Sequence, residues 1–152
     1  MNSVFVGRYR HKLNSRGQVA VPVKLRLGLP VDEEGNRSLY LMKLEETPIY
    51  ALTSALLDDL SNRMGEGLKA DRRRRHEFYS RIEVVEIDPQ GRVVIPQWMR
   101  EAAGVGKEVV FVGAGSRIEI WPAEKWDKYA GEVIEVVRKD LDVSISGALD
   151  TI

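Results

Sequence analysis

The chain has 152 residues, 43% apolar and 30% charged, with 23 basic and 23 acidic side chains and a formal net charge of zero. It contains no cysteine, which excludes disulfides and thiolate chemistry, and no apolar run approaches the roughly 20 residues that span a bilayer. The first residues, Met1-Asn-Ser-Val-Phe-Val, lack the basic lead and long apolar core of a secretory signal, so a soluble cytoplasmic globule is expected.

Zero net charge conceals a sorted distribution. Residues 1–30 hold Arg8, Arg10, Lys12, Arg16, Lys24 and Arg26 with no acid, whereas residues 31–60 hold seven acids and two bases. Residues 61–81 return to +4 and the remainder is −5. Sorting of this kind lets one basic face meet phosphate while the rest stays neutral enough to self-associate.

The stretch 5–13 alternates in its second part, which puts Arg8, Arg10 and Lys12 on one face and Tyr9, His11 and Leu13 on the other. Three cations in a row suit a phosphate backbone; a solvated basic face accounts for them equally well. His11 has only His76 for company and no metal-ligand spacing, so a packing role is expected. Next comes Asn14-Ser-Arg-Gly-Gln-Val-Ala-Val-Pro22. An Asx residue opening a four-residue turn that glycine closes is the pattern of a type I turn, and Gly17 can take positive φ there. Val19-Ala-Val21 is short enough for a strand buried on both faces, and Pro22 ends it before a short helix carrying Lys24 and Arg26.

Asp32-Glu-Glu-Gly-Asn36 reads as a solvated polar loop, Leu39 to Met42 and Ile49 to Leu52 as strands, and Glu45 to Pro48 as a hairpin loop. Thr53 or Ser54 caps a helix carrying Leu56, Leu57 and Leu60. Ser61 to Gly67 is expected to be a flexible connection. Arg72 to Arg75 follows as the densest positive run, suited either to nucleic acid or to acidic groups across a subunit boundary.

Beyond the strand Ile82 to Ile87 the chain repeats itself. Asp88-Pro-Gln-Gly-Arg-Val-Val-Ile-Pro96 is an altered copy of the first turn, 74 positions on. Trp98-Met-Arg100 parallels Lys24-Leu-Arg26, with Trp98 and Met99 expected in the core; Val109 to Val112 parallels Leu39 to Met42, and Ile118 to Trp121 parallels Ile49 to Leu52. Gly113 to Ser116 is a hairpin loop and not a phosphate cradle, since the helix and lysine of a P-loop are missing. Pro122 opens a helix burying Trp126, and Asp140 to Ile152 reads as an irregular tail that is mobile or docks on a neighbour. The fold class is therefore α+β, mostly β, with two duplicated halves and short helices.

From Phe5-Val-Gly-Arg-Tyr9 to Trp126 this double arrangement resembles the MraZ family, whose halves each look like an AbrB/MazE-type swapped hairpin packed as an intramolecular pseudo-dimer. The family pattern, Asp-x-x-x-Arg followed by aliphatic residues and proline, stands as Asp88 to Arg92; the first half has Asn14 and Gln18 in those places. Domain bounds follow: a first repeat at 1–60, a basic helical linker at 61–81, a second repeat at 82–130 and a C-terminal extension at 131–152. The resemblance implies a ring-shaped homo-oligomer, associated with the nucleoid, that binds repeated elements of double-stranded DNA upstream of its own operon for division and cell-wall synthesis.

Charge and turn position offer Arg8, Arg10, Lys12, Arg16, Lys24 and Arg26 as DNA contacts, the resemblance adds the motif position at Gln18 and Arg92, and Asn14, Gly17, Asp88 and Gly91 are expected to shape the turns. Two readings of the exchange at Asn14 and Gln18 stay open. Either an amide pair replaces an ion pair and the turn survives, or recognition is redirected, since glutamine matches adenine edges better than guanine. No enzyme, cofactor, metal or small-molecule substrate is expected. The alternatives are an antitoxin-like module that sequesters a protein and, further off, a nucleotide hydrolase.

Overall fold

The computed structural model describes residues 4–46 and 48–150. The first half runs β1 (Arg8–Lys12), β2 (Gln18–Ala20), α1 (Val23–Arg26), β3 (Arg37–Lys43), β4 (Ile49–Leu52) and α2 (Ser54–Met64). Two short helices follow, α3 (Glu66–Ala70) and α4 (Arg72–Tyr79). The second half runs β5 (Ile82–Ile87), β6 (Arg92–Val94), α5 (Gln97–Ala103), β7 (Glu108–Gly113), β8 (Ile118–Pro122) and α6 (Ala123–Asp150).

The halves do not fold side by side; they exchange strands. The six-stranded sheet has the order β1-β7-β8-β4-β3-β5, and β2 and β6 form a separate two-stranded ribbon. Read from either end the sheet order is the same once each strand is replaced by its repeat, so a pseudo-twofold axis passes between β4 and β8 and through the ribbon. Register obeys it. Arg10 faces Val110 across β1 and β7, and the repeat equivalents Val84 and Tyr40 face each other across β5 and β3. On the axis itself Val19 faces Val93.

Equivalent apolar positions fill one core: Val19 with Val93, Val21 with Ile95, Leu25 with Met99, Leu41 with Phe111, all buried. A shared core of this kind leaves neither half an independent hydrophobic interior, and the exchanged strand pairs tie the two together. His11 belongs to this framework. Its Nδ1 donates to the Ala20 carbonyl at 2.6 Å and its ring meets Phe111 edge-on at 5.8 Å.

Four expectations need correcting. Val19-Ala-Val21 is not buried on both faces, because a two-stranded ribbon covers only one: Val19 is buried, Ala20 exposed, and in β6 Val94 is 46% exposed. Ser61 to Gly67 is not a loose connection, since α2 continues to Met64 and α3 begins at Glu66, with an Arg63–Asp59 ion pair one turn apart at 2.8 Å. Trp98 lies 39% exposed, its indole donating to Glu83 at 2.9 Å, while Met99 beside it is buried as expected. The stretch from Asp140 is not irregular: α6 runs unbroken to Asp150, and Thr151 and Ile152 lie outside the described residues. Its base is anchored by Trp121, Trp126 and Tyr129, with Tyr129 stacked on Trp121 at 4.7 Å. Thr53 caps α2 as expected, accepting from the Leu56 N–H.

Candidate nucleic-acid interface

The two turns are built alike from backbone hydrogen bonds. Gly17 N–H donates to the Asn14 carbonyl at 3.0 Å and Gly91 N–H to the Asp88 carbonyl at 2.9 Å; the Asn14 and Asp88 N–H groups return bonds to Gln18 and Arg92. Gly17 at φ +80° and Gly91 at φ +83° supply the left-handed residue that follows a type I turn and lets the hairpin close.

The Asx side chain completes each turn. Asn14 Oδ1 accepts from the N–H groups of Arg16 and Gln18, and its Nδ2 donates to Gln18 Oε1 at 2.9 Å. Asp88 Oδ1 likewise accepts from Gln90 and Arg92, while Oδ2 stands 3.5 Å from Arg92 Nε. That last contact is an ion pair by distance but not a hydrogen bond, as Arg92 Nε is buried without an acceptor. The backbone N–H of Arg92 is the main reason the Asp88 carboxyl sits below its ordinary value; burial, the next largest influence, opposes it, and the Gln90 N–H and the Arg92 side chain add to the lowering. An amide pair has thus replaced an ion pair in the first half with the turn preserved.

Each turn is backed by an arginine from the other half. A Cβ on Gly17 would lie 2.6 Å from Arg100 Cζ, and one on Gly91 would meet the Arg26 guanidinium. Arg100 Nε donates to Ile95 O at 2.9 Å and Arg26 Nη1 to Val21 O at 3.4 Å. The ribbon crosses over in the same sense, with Ile95 N–H bonded to Gly17 O and Val21 N–H to Gly91 O. Arg26, named from sequence as a contact, therefore faces the second turn, and Arg100 was missed. Its signal was present in the alignment of Lys24-Leu-Arg26 with Trp98-Met-Arg100, but which half each arginine serves depends on strand exchange.

The remaining basic residues separate into groups. Asn14, Ser15 and Arg16 at the first tip and Pro89 and Gln90 at the second are exposed. Arg8, Arg10 and Lys12 share the exposed face of β1, where Arg10 is held by Asp127 of α6 at 2.6 Å. Lys24 is exposed on α1. The run Arg72 to Arg75 occupies α4, whose Asp71 cap accepts from Arg73 and Arg74 N–H and pairs with the Arg74 side chain at 3.6 Å. Among the described residues no group of three His, Cys, Asp or Glu could hold a metal ion, and no helix is long and apolar enough to cross a membrane.

Fold and site together define a class: an intramolecular pseudo-dimer of strand-exchanged halves that displays two Asx-stabilised turns from a short ribbon. A family model described as "MraZ protein, putative antitoxin-like" matches residues 78–142. The "Transcriptional regulator MraZ" of Clostridium botulinum is 37% identical over 129 residues, covering 83% of this chain and 87% of that protein. Those of Symbiobacterium thermophilum and Clostridium beijerinckii are 33% and 36% identical over 134 and 130 residues, covering 86% and 83% of this chain and 93% and 87% of theirs. The chain belongs to the MraZ family.

Proposed function

We propose that the protein regulates transcription by binding double-stranded DNA through its two turns, as a non-catalytic homo-oligomer. The observation that carries this reading is the pair of exposed turns on a common ribbon, in a chain whose relatives bear the name transcriptional regulator. Gly17 and Gly91 fall at opposite ends of that ribbon, four residues of strand or roughly 13 Å apart along it, so both tips reach one stretch of duplex. Arg16, with no acidic partner among the described residues, and the exposed Arg8, Lys12 and Lys24 supply phosphate contacts. Arg10 contributes less, being neutralised by Asp127. Gln18 and Arg92 face outward beside the turns, and Arg26 acts by holding the second turn.

Residues 1–60 and 82–130 are the two repeats on this reading, 61–81 the linker between them, and 131–152 an extension carried on α6. One protomer offers few cations. A ring of protomers meeting repeated elements upstream of its own operon, in the cytoplasm at the nucleoid, raises affinity without new contacts.

The test is binding of the intact protein to duplex DNA from upstream of its gene at two salt concentrations. Affinity is expected to fall steeply with salt, and Arg16→Ala is expected to weaken it and reduce the slope of log K on log salt by about 1. A salt-independent interaction, or co-purification of a stoichiometric protein partner with no DNA affinity, would replace this reading with the sequestering one.

A further inference from the structure

The two turns carry the same two side-chain types in opposite order. The first has Arg16 at its third position and Gln18 just past the glycine; the second has Gln90 at its third position and Arg92 just past the glycine. Turn closure, ribbon register and the backing arginine all obey the pseudo-twofold axis at these positions, so this exchange is a local break in an otherwise balanced surface. We propose, resting on the DNA-binding reading above, that the exchange gives the protomer a direction on DNA: Gln18 reads an adenine and Arg92 a guanine, making the recognised element asymmetric.

Register places both readers on one face. Gln18 pairs with Val94 and Ala20 with Arg92 across the ribbon, and Val19 and Val93 between them are buried, so Gln18, Ala20, Arg92 and Val94 all point away from the core. Gln18 and Arg92 are offset by two residues along the strands and one strand spacing across, about 8 Å between backbones. That is two to three base-pair steps. Ala20 and Val94 complete the face with small apolar groups suited to thymine methyls and sugars.

The hydrogen bonds at each turn then fix what each reader presents. Asn14 Oδ1 is committed to two backbone N–H groups, which can only donate, so Asn14 must offer Nδ2 to Gln18 and Gln18 must answer with Oε1. Gln18 Nε2 is left without a protein acceptor among the described residues, and Oε1 keeps its second lone pair. One donor beside one acceptor matches N7 and N6–H of adenine in the major groove; against guanine, whose O6 and N7 both accept, the Gln18 oxygen is repelled. In the second turn Asp88 has no donor to give, and Arg92 turns Nε toward Oδ2 at 3.5 Å. The two terminal nitrogens of Arg92 have no protein acceptor among the described residues, and two donors match O6 and N7 of guanine. Asn14 is thus the positioning residue for Gln18. An aspartate there would accept only and turn the Gln18 amide over, leaving Oε1 outward.

The experiment is selection of bound sequences from a randomised duplex library by the full-length protein, its Gln18→Arg variant and its Asn14→Asp variant, with affinities measured for the selected duplex and its single-base substitutions. The wild type is expected to select a non-palindromic element with a required adenine and a required guanine. Gln18→Arg should exchange that adenine for guanine with a preference change of about tenfold or more at that position alone, and Asn14→Asp should flatten the adenine preference while leaving the guanine in place. A palindromic wild-type element, or a Gln18→Arg variant that selects the same bases as the wild type at altered affinity, would overturn the proposal with DNA binding intact. Binding of the wild type without preference for any sequence would overturn it too, and no binding to any duplex would remove the reading on which it rests.

Discussion

Gly17→Ala is the substitution whose cost the fold states most completely. Holding an L-residue at φ +80° costs about 1–2 kcal/mol, less about 0.4–1 kcal/mol because alanine also restricts the unfolded chain. The new Cβ would stand 2.6 Å from Arg100 Cζ and 2.7 Å from its Nε, so the guanidinium must lift away and release its 2.9 Å bond to Ile95 O. A hydrogen bond to a charged group contributes about 1.5–3 kcal/mol, discounted here because Arg100 is only partly buried. The total is about 2 kcal/mol, or a fall in Tm of roughly 4–8 °C for a chain of this size. In an Arg100→Ala background only the backbone part remains. Urea midpoints of the four proteins, at one fixed protein concentration because self-association shifts apparent stability, should give a coupling of about 1 kcal/mol between the positions. Equal losses in the two backgrounds would show that Arg100 does not rest on the first turn, and the reciprocal bracing of the halves would be wrong.

Two further predictions concern pH. The Asp88 carboxyl is held low chiefly by the Arg92 N–H, so its contribution to stability is present above the unfolded carboxylate value and lost as pH falls through the folded one. Asp88→Asn should therefore flatten the acid limb of a stability profile, whereas the first turn, with Asn14, contributes nothing to that limb; identical acid limbs would contradict the assignment. Lys43 is a buried base on β3 whose Nζ donates to Leu44 O. Burial, then the Lys125 and Arg81 charges, lower its pKa against an opposing pull from Glu45. Between the lowered value and the ordinary one near 10.5 the unfolded chain binds more protons, so stability from this site rises with pH across that window. Lys43→Met should remove the alkaline rise, and parallel profiles would show the ammonium is not disfavoured by the fold.

Much of the fold was legible because the duplication is written in residues that do structural work. Gly17 and Gly91 mark the turns and Pro22 and Pro96 the ends of short strands, while the amide pairing of Asn14 with Gln18 was one of two readings the sequence left open. Strand exchange between halves came only through family resemblance, since periodicity identifies a strand but not its partner. Arg100 was hidden for that reason: its place on a short helix says nothing of the turn it serves, more than 80 residues earlier. Misreading the end of α6 has a different cause. Val143, Ser144, Ile145, Ser146 and Gly147 have weak helix propensity, and Val143 is 74% exposed, so neither propensity nor burial marks the helix there.

The claim on which the account turns is that both glycine-hinged tips touch the same duplex, and hydrogen–deuterium exchange of the full-length protein with and without DNA from upstream of its gene tests it most directly. Exchange should slow on DNA addition in peptides spanning residues 14–18 and 88–92 together, and the slowing should vanish at high salt. Unchanged tips, with protection confined to the arginine run Arg72 to Arg75 on α4, would contradict it.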